Sequence, residues 1–306
     1  MEKIHITCNI DENYTQHCAV TLVSLFENHH GQDFEIHIIA DQLSEQATEI
    51  LTNLINQYGQ SISFYFGHEA LLDNCSIIKS ASHISIATYY RCFLTSILPP
   101  HVKKTIYLDC DLIVRHPITE LWNIDIDQYS VACVEDMWSS KPDNYDRLNY
   151  PSDYSYFNAG VLLINLEYWR QHNICEESIR YIKENSENLL FNDQDVLNGL
   201  LHQSKLFVPT KWNMQDGFFR RKRKIRKTIW KELDESMKDP AVVHYTGSKK
   251  PWHYKSEHPY KSEYYKYLDM TIWKGWRPAI NYRYLFIKQI NNLLYNLGII
   301  QPKYLR

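Results

Sequence analysis

The sequence predicts an α/β protein built on a mostly parallel sheet. Three observations lead there. Strand-like and helix-like runs alternate through the first third of the chain. At 306 residues and 44% hydrophobic, the chain is long enough to bury a core and too apolar to be disordered as a whole. No apolar run reaches the ~18 residues needed to span a bilayer.

The elements follow in order. Ile4–Cys8 is a short β-rich run. Thr15–Asn28 carries Val20, Leu22, Leu25 and Phe26 at helical spacing. Phe34–Ile39 is a strand. Ser44 then offers an N-cap, and Ile50, Leu51, Leu54 and Ile55 form the apolar face of the helix it opens. Ile62–Phe66 is a third strand. Ile84–Leu98 reads as helical and stops at Pro99-Pro100. Thr105–Leu108 is a fourth strand, running into Asp109-Cys110-Asp111. Further on, Val131–Val134, Gly160–Asn165 and Ala241–Tyr245 read as strands, and Asn173–Glu184 and Gln194–Leu201 as helices.

Charge and cysteine usage narrow the class. Lys+Arg total 33 against Asp+Glu 36, a net charge of −3, so the chain as a whole is no polyanion binder. The seven cysteines are scattered without a CxxC pair and read as reduced core residues of a cytoplasmic protein. The sequons at Asn13 and Asn74 would matter only in a secreted chain. The N-terminus lacks the apolar core of a signal peptide.

Two segments stand out by charge. Arg220–Lys227 is basic at every position except Ile225. Met270–Arg306 holds six basic residues, no acid, and interleaved aromatics such as Trp273, Trp276, Tyr282 and Phe286. That is the composition of an interfacial membrane segment; a solvated helix docked through its aromatic side is the alternative.

Glycine-rich phosphate loops and the HExxH pair are both absent, which argues against dinucleotide oxidoreductases, P-loop kinases and zincins. Four sites carry chemistry instead. Asp109 and Asp111, just past an apolar strand, would share a face if the strand continued and could hold a hard divalent cation; a turn with two solvated acids is the alternative. His244 follows Ala241-Val-Val and would complete a mixed N/O ligand set suited to Mn²⁺, with Mg²⁺ also compatible; a buried strand-capping histidine is the other reading. Asn192–Asp195 opens a helix, as ligand sites and ordinary N-caps both do. Tyr156–Gly160 offers small residues for close ligand approach, or a plain turn before the strand Val161–Ile164.

Together the stretches CNIDENY (Cys8–Tyr14), ATYYRCFL (Ala87–Leu94), YLDCDLIV (Tyr107–Val114), YFNAGVLLINL (Tyr156–Leu166), FNDQDVLN (Phe191–Asn198), KWN (Lys211–Asn213) and HYTGSKKPW (His244–Trp252) resemble glycosyltransferase family 8, in family order. The resemblance implies a GT-A fold, a Rossmann-like nucleotide-sugar domain over residues 1–252, followed by a basic, aromatic membrane-association tail over 253–306. It implies a retaining, metal-dependent hexosyltransferase that takes galactose or glucose from a UDP-sugar. The acceptor would be a surface glycan or lipid-linked oligosaccharide at the inner face of the cell membrane, with no nucleic-acid partner. Carried over by motif, Asp11, Asn13, Tyr14, Asp109, Cys110, Gly247 and Lys250 would hold the nucleotide, and Asp109, Asp111 and His244 the Mn²⁺. Arg91, Asn158, Asp193 and Gln194 would hold the sugar, with Gln194 and Asp193 catalytic. Asp136 would orient donor or acceptor, and a covalent intermediate on Asp193 or Asp195 stands beside front-face attack. A sugar nucleotidyltransferase, which would release pyrophosphate, and a non-enzymatic basic module driven by Arg220–Lys227 are the alternatives from other classes.

Overall fold

The computed structural model describes residues 3–66, 86–279 and 282–305. Ten strands occur among them: β1 (Ile4–Asn9), β2 (Phe34–Ala40), β3 (Ser61–Phe66), β4 (Lys104–Leu108), β5 (Leu112–Val114), β6 (Val131–Glu135), β7 (Phe157–Asn165), β8 (Lys205–Phe207), β9 (Met214–Gln215) and β10 (Val242–His244). Seven form one sheet in the order β3-β2-β1-β4-β7-β6-β8. All run parallel except β7, which is antiparallel to both β4 and β6. The mixed α/β class and mostly parallel sheet are as the sequence implies.

Strand periodicity explains the two cores. Ile4, Ile6 and Cys8 of β1 point into one buried cluster together with helix α1 (Thr15–Glu27). Tyr107 of β4 and Leu162 and Ile164 of β7 belong to a second cluster with Trp169 and Leu197. Helix α2 (Glu45–Gln57) starts where expected: Ser44 is its N-cap and its hydroxyl accepts from the Ala47 N–H at 3.1 Å.

The site is placed by the order reversal between β1 and β4. Strands β2 and β3 build outward from one side of β1, and β4 joins its other side. Open α/β sheets leave a crevice at such a point, beyond the carboxyl ends of the strands. Ile6 pairs with Ile106 and Thr7 with Tyr107, so the segments leaving β1 and β4 emerge side by side. A second small sheet, β5-β10-β9, closes over the same end.

Three local expectations are corrected. Residues 86–93 form a 3₁₀ helix, followed by one α-turn at Leu94–Ile97; residues 84–85, like Cys75 and Asn74, lie outside the described residues. In a 3₁₀ helix residues i and i+3 eclipse, which sets Thr88 and Arg91 over one cavity. Phe157–Gly160 is part of β7, not a turn before it. The β4 strand stops at Leu108, so Asp109 and Asp111 sit on the link to β5.

The segment 253–306 divides in two. Helix Lys261–Leu268 buries Tyr264, Tyr267 and Leu268 in the first core, and His17 Nδ1 lies 2.7 Å from the Tyr264 hydroxyl. Helix Tyr282–Asn296 exposes Phe286, Ile287, Ile290 and Leu293. The chain then returns: the Tyr304 hydroxyl donates to Asp216 Oδ1 at 2.6 Å and the Leu305 N–H to the Phe219 carbonyl at 2.8 Å. Among the described residues no helix is long and apolar enough to cross a membrane.

Candidate active site

Asp109 and Asp111 converge with His244 although the strand does not continue. One candidate ligand atom from each lies within 4.8 Å of the others. His244 Nε2 is 3.0 Å from Asp111 Oδ1 and 3.6 Å from Asp109 Oδ2. The imidazole is oriented from behind. Its Nδ1 lies 2.9 Å from Asn213 Oδ1, and with the ring proton there Nε2 turns a lone pair to the carboxylates. Asn213 is the residue of the KWN stretch that sequence reading left without a role. Its Nδ2 donates in turn to Asn158 Oδ1 at 2.9 Å.

Gly160 explains why the strand beneath must be bare. A Cβ at that position would lie 2.6 Å from Asp109 Oδ2 and 2.9 Å from His244 Nδ1. The Asp109 N–H also donates to the Gly160 carbonyl at 2.8 Å, which ties the acidic link to β7. Lys250 forms an ion pair with Asp111 and donates to the Tyr245 carbonyl at 2.7 Å. Burial opposes ionisation of Asp111, but Lys250 and His244 outweigh it and hold the carboxyl well below its ordinary range. Two carboxylates and an imidazole within this span fit a divalent cation.

Two cavities meet at this cluster and share Arg91 and Asp109. The first, about 290 Å³, is lined by Asp11, Tyr14, Thr88, Cys110 and Asp111 among others. The Tyr14 ring stands edge-on to His17 and Trp252, at centroid distances of 5.4 and 6.1 Å. The second, about 350 Å³, is lined by Asp136, Trp138, Asn158, Asp193, Gln194 and Thr246. Asn13 is not brought in: it shares the turn with Asp11 but lines a separate cleft beside Gln46 and Trp273. Gly247 lines neither cavity, and a Cβ there would meet Asp216 Cγ at 3.0 Å.

Arg91 joins the two halves. Its guanidinium pairs with Asp109 at 2.9 Å and Asp193 at 2.6 Å, donates to the Ala159 carbonyl at 2.8 Å and lies 4.5 Å from the Tyr107 ring centroid. Burial raises the pKa of Asp193 to about 6 against the opposing pull of Arg91. Gln194 Oε1 accepts from the Ala159 N–H at 3.0 Å and from Asn158 Nδ2 at 3.1 Å. Asp136 accepts from Asn158 Nδ2 at 3.1 Å and from the Trp138 N–H at 2.7 Å, and burial raises its pKa.

Two features of the sequence are absorbed by structure. Asp195 is fully buried, with Arg147 at 2.7 and 3.1 Å, the Tyr156 hydroxyl at 2.7 Å and the Phe191 N–H at 2.6 Å on its oxygens. It lines neither cavity, so it is no candidate nucleophile. The basic run is also partly spent. Arg220 pairs with Asp216, Arg223 with Asp234 at 2.6 Å and Arg226 with Glu135 at 2.6 Å. Among the described cysteines, six are free and buried, with Cys8, Cys18 and Cys110 grouped beneath the acidic link.

The chain resembles known proteins over most of its length. Over 92% of its length the chain is 32% identical to General stress protein A of Bacillus subtilis, covering 98% of that protein. It is 29% identical to a lipopolysaccharide 1,2-glucosyltransferase of Escherichia coli, over 82% of this chain and 74% of that one. A lipopolysaccharide 1,3-galactosyltransferase of Salmonella typhimurium is 26% identical, over 89% of this chain and 80% of that one. The crystal structure of the galactosyltransferase LgtC, in complex with donor and acceptor sugar analogues, shares the fold. The TM-score is 0.78 at 24% identity, covering 92% of this chain and 99% of that one. The model of glycosyl transferase family 8 matches residues 5–256, from the start of β1 to beyond Lys250, and the chain is a member of that family.

Proposed function

We propose that the chain moves a hexose from a UDP-sugar to a surface-glycan or lipid-linked acceptor with retention of anomeric configuration. The observation that carries this is the Asp109–Asp111–His244 cluster at the junction of two cavities. One suits a nucleoside with Tyr14 at its wall, the other a sugar among Arg91, Asp136, Asn158, Asp193 and Gln194. The glucosyl- and galactosyltransferase relatives support glucose or galactose as the donor sugar.

In this reading Asp109, Asp111 and His244 hold Mn²⁺, which when bound neutralises charge on the diphosphate. Lys250, next to Asp111, adds a fixed positive charge where the leaving UDP becomes more negative. The acceptor hydroxyl oxygen bonds to the sugar C1 as the C1–O bond to the β-phosphate breaks, and the hydroxyl proton passes to the departing phosphate oxygen. Front-face attack is favoured because the candidate nucleophiles are already engaged. Asp193 is held by Arg91, Asp195 by Arg147, and Gln194 is an amide whose oxygen already accepts two N–H groups. Arg91 and Gln194 position the sugar, and Asp136 lines the same cavity.

The catalytic body in this proposal extends past residue 252 through helix Lys261–Leu268, because Tyr264 and Tyr267 are core residues. Membrane contact then falls to the arm beyond it, where Tyr282, Phe286, Leu293, Leu297 and Ile299 are exposed.

The test is UDP release from a panel of UDP-sugars, with Mn²⁺ and with EDTA. EDTA-sensitive release from one sugar, abolished in Asp109→Ala and His244→Ala, is expected. Equal release with EDTA, or pyrophosphate as product, refutes the proposal.

A further inference from the structure

We infer that the seam between the C-terminal arm and the body is a binding site for a phosphate-bearing anion. It stands whether or not the donor reading above holds. A cavity of about 380 Å³ lies there, lined by Ser256, Glu257, His258, Lys261, Lys288 and Lys303 among others.

The first argument is an orphaned donor. His258 is 4% exposed, and its Nδ1 accepts the Tyr260 N–H at 3.2 Å. In the neutral ring the proton therefore sits on Nε2. Burial keeps the ring neutral by lowering its pKa to about 4. Yet Nε2 is buried with no hydrogen-bond partner among the described residues, and the Ser256 hydroxyl, on a residue 3% exposed, is in the same state. Buried donors left unpaired cost about 1–3 kcal/mol each, so an acceptor is the expected complement.

The second argument is charge. Lys261, Lys288 and Lys303 bring three ammonium groups to the cavity against one carboxylate, Glu257. Among the described residues none of the three forms an ion pair. Lys261 contacts only carbonyl oxygens, three of them at 3.3 Å. Burial and Lys288 together push its pKa down against the pull of Glu257. A cation is excluded by the ammonium groups, and an apolar ligand would leave the donors unpaired. A group with several anionic oxygens answers the charge of the three ammonium groups and offers acceptors to Ser256 and His258, and a phosphate monoester has that shape.

A lipid headgroup and free phosphate share this chemistry. Lys288 lies on the helix whose Ile287 and Ile290 are exposed, so a headgroup held here would set that apolar face against the acyl chains.

The experiment is calorimetric titration of the full chain with inorganic phosphate, UDP being present to fill the nucleotide cavity. Saturable binding is expected, weakened roughly tenfold per lost charge in Lys288→Met and Lys303→Met and unchanged in Lys250→Met. Both seam lysines are exposed, so folding survives the change. UDP release by the two variants stays at the parent level, which separates this site from the catalytic one. Absence of saturable binding, or binding equal in parent and seam variants, overturns the inference and leaves only water in the cavity. Given binding, competition by phosphatidylcholine vesicles containing phosphatidic acid, and not by phosphatidylcholine alone, identifies a headgroup site. Binding without such competition identifies a free-anion site.

Discussion

Gly160→Ala adds one methyl group where the structure has no room for it. The new Cβ would lie 2.6 Å from Asp109 Oδ2 and closer still to the His244 ring. Ordinary contact is about 3.5 Å, so the overlap with Asp109 alone is roughly 0.9 Å. The neighbours cannot simply step back. His244 is 3% exposed, lies in β10 and is held at Nδ1 by Asn213, while Asp109 is tied to Gly160 by its own backbone N–H. The least costly response is displacement of one or both ligands from the cluster. A misplaced or lost supporting contact at a metal site costs about 10–100-fold in affinity, and overpacking costs about 1–3 kcal/mol of stability. The assay is Mn²⁺ titration followed by the electron paramagnetic resonance of the free ion, alongside urea unfolding. Gly160→Ala should bind Mn²⁺ about 10–100-fold more weakly. Combining it with His244→Ala, which removes the nearest obstruction, should recover part of the stability loss, a non-additivity the cycle reads directly. Parent-like Mn²⁺ affinity in a folded Gly160→Ala variant would refute the assignment of Asp109 and His244 as ligands.

Other outcomes follow from the same geometry. Asn213→Ala frees the His244 ring and should weaken Mn²⁺ binding about 10-fold or more, with about 1–3 kcal/mol lost in unfolding from the buried donor left unpaired; an unchanged affinity removes Asn213 from its orienting role. Asp195→Ala leaves the Tyr156 hydroxyl unpaired and Arg147 without its closest carboxylate, and should cost about 3–5 kcal/mol in urea unfolding; a loss of UDP release without loss of stability would return Asp195 to the chemistry. Acid should destabilise the fold above the range where carboxylates ordinarily titrate. Burial holds His17, His37 and His258 at pKa values of about 4, so the unfolded chain binds more protons between pH 4 and 6.5, and stability is full above 6.5 and lost as pH falls. Asp193, raised to about 6, works the opposite way and offsets about one of those three protons. The net is about two protons, or roughly 2.5 kcal/mol per pH unit near pH 5, and a urea midpoint that is flat from pH 7 to 5 contradicts it. Protonation of Asp193 also removes one acceptor from Arg91, so KM for the donor should rise below about pH 6, a rise absent in Asp193→Asn.

The fold was legible where local signals agree with the tertiary result. β1, β2 and β4 each carry a buried apolar run, and Ser44 caps α2 as its side chain and position require. What was not legible has a common cause: partners distant in sequence. Arg226 reads as part of one positive patch, but it pairs with Glu135, 91 positions away. The same holds at the site. Asp109 and Asp111 were identified by residue type, yet the argument that put them on one strand face fails, because the strand ends before them. They converge because the link to β5 returns the chain to β10 and its His244. Asn213 carries no signal of its own, since an asparagine in a loop reads as a turn residue until the histidine it orients is 31 positions away and in contact.

The topology explains why these contacts cluster rather than scatter. β7 is the one antiparallel member of its sheet, so its N-terminal residues, Phe157–Gly160, lie at the end of the sheet where β4 delivers its C-terminal acids. A parallel β7 would deliver its C-terminal end there instead, and the small-residue stretch would sit at the far end. The reversal therefore brings Asn158, Ala159 and Gly160 against Asp109, and through them Gln194, Asp136 and Asn213 into one hydrogen-bonded chain. Asn158 is the hinge of that chain, with its Oδ1 accepting from Asn213 and from the Gly160 N–H, and its Nδ2 donating to Asp136 and Gln194. A side chain with two donors and two acceptors is required there, because each side of the site needs a different one. An aspartate at 158 would keep the contact to Asn213 but lose the donors, placing a second carboxylate against Asp136 in a buried pocket. Coupling between the cation cluster and the sugar cavity thus runs through this amide as well as through Arg91. A perturbation at 158 is expected to move both Mn²⁺ affinity and donor KM, where Asn213 moves the first and Asp193 the second.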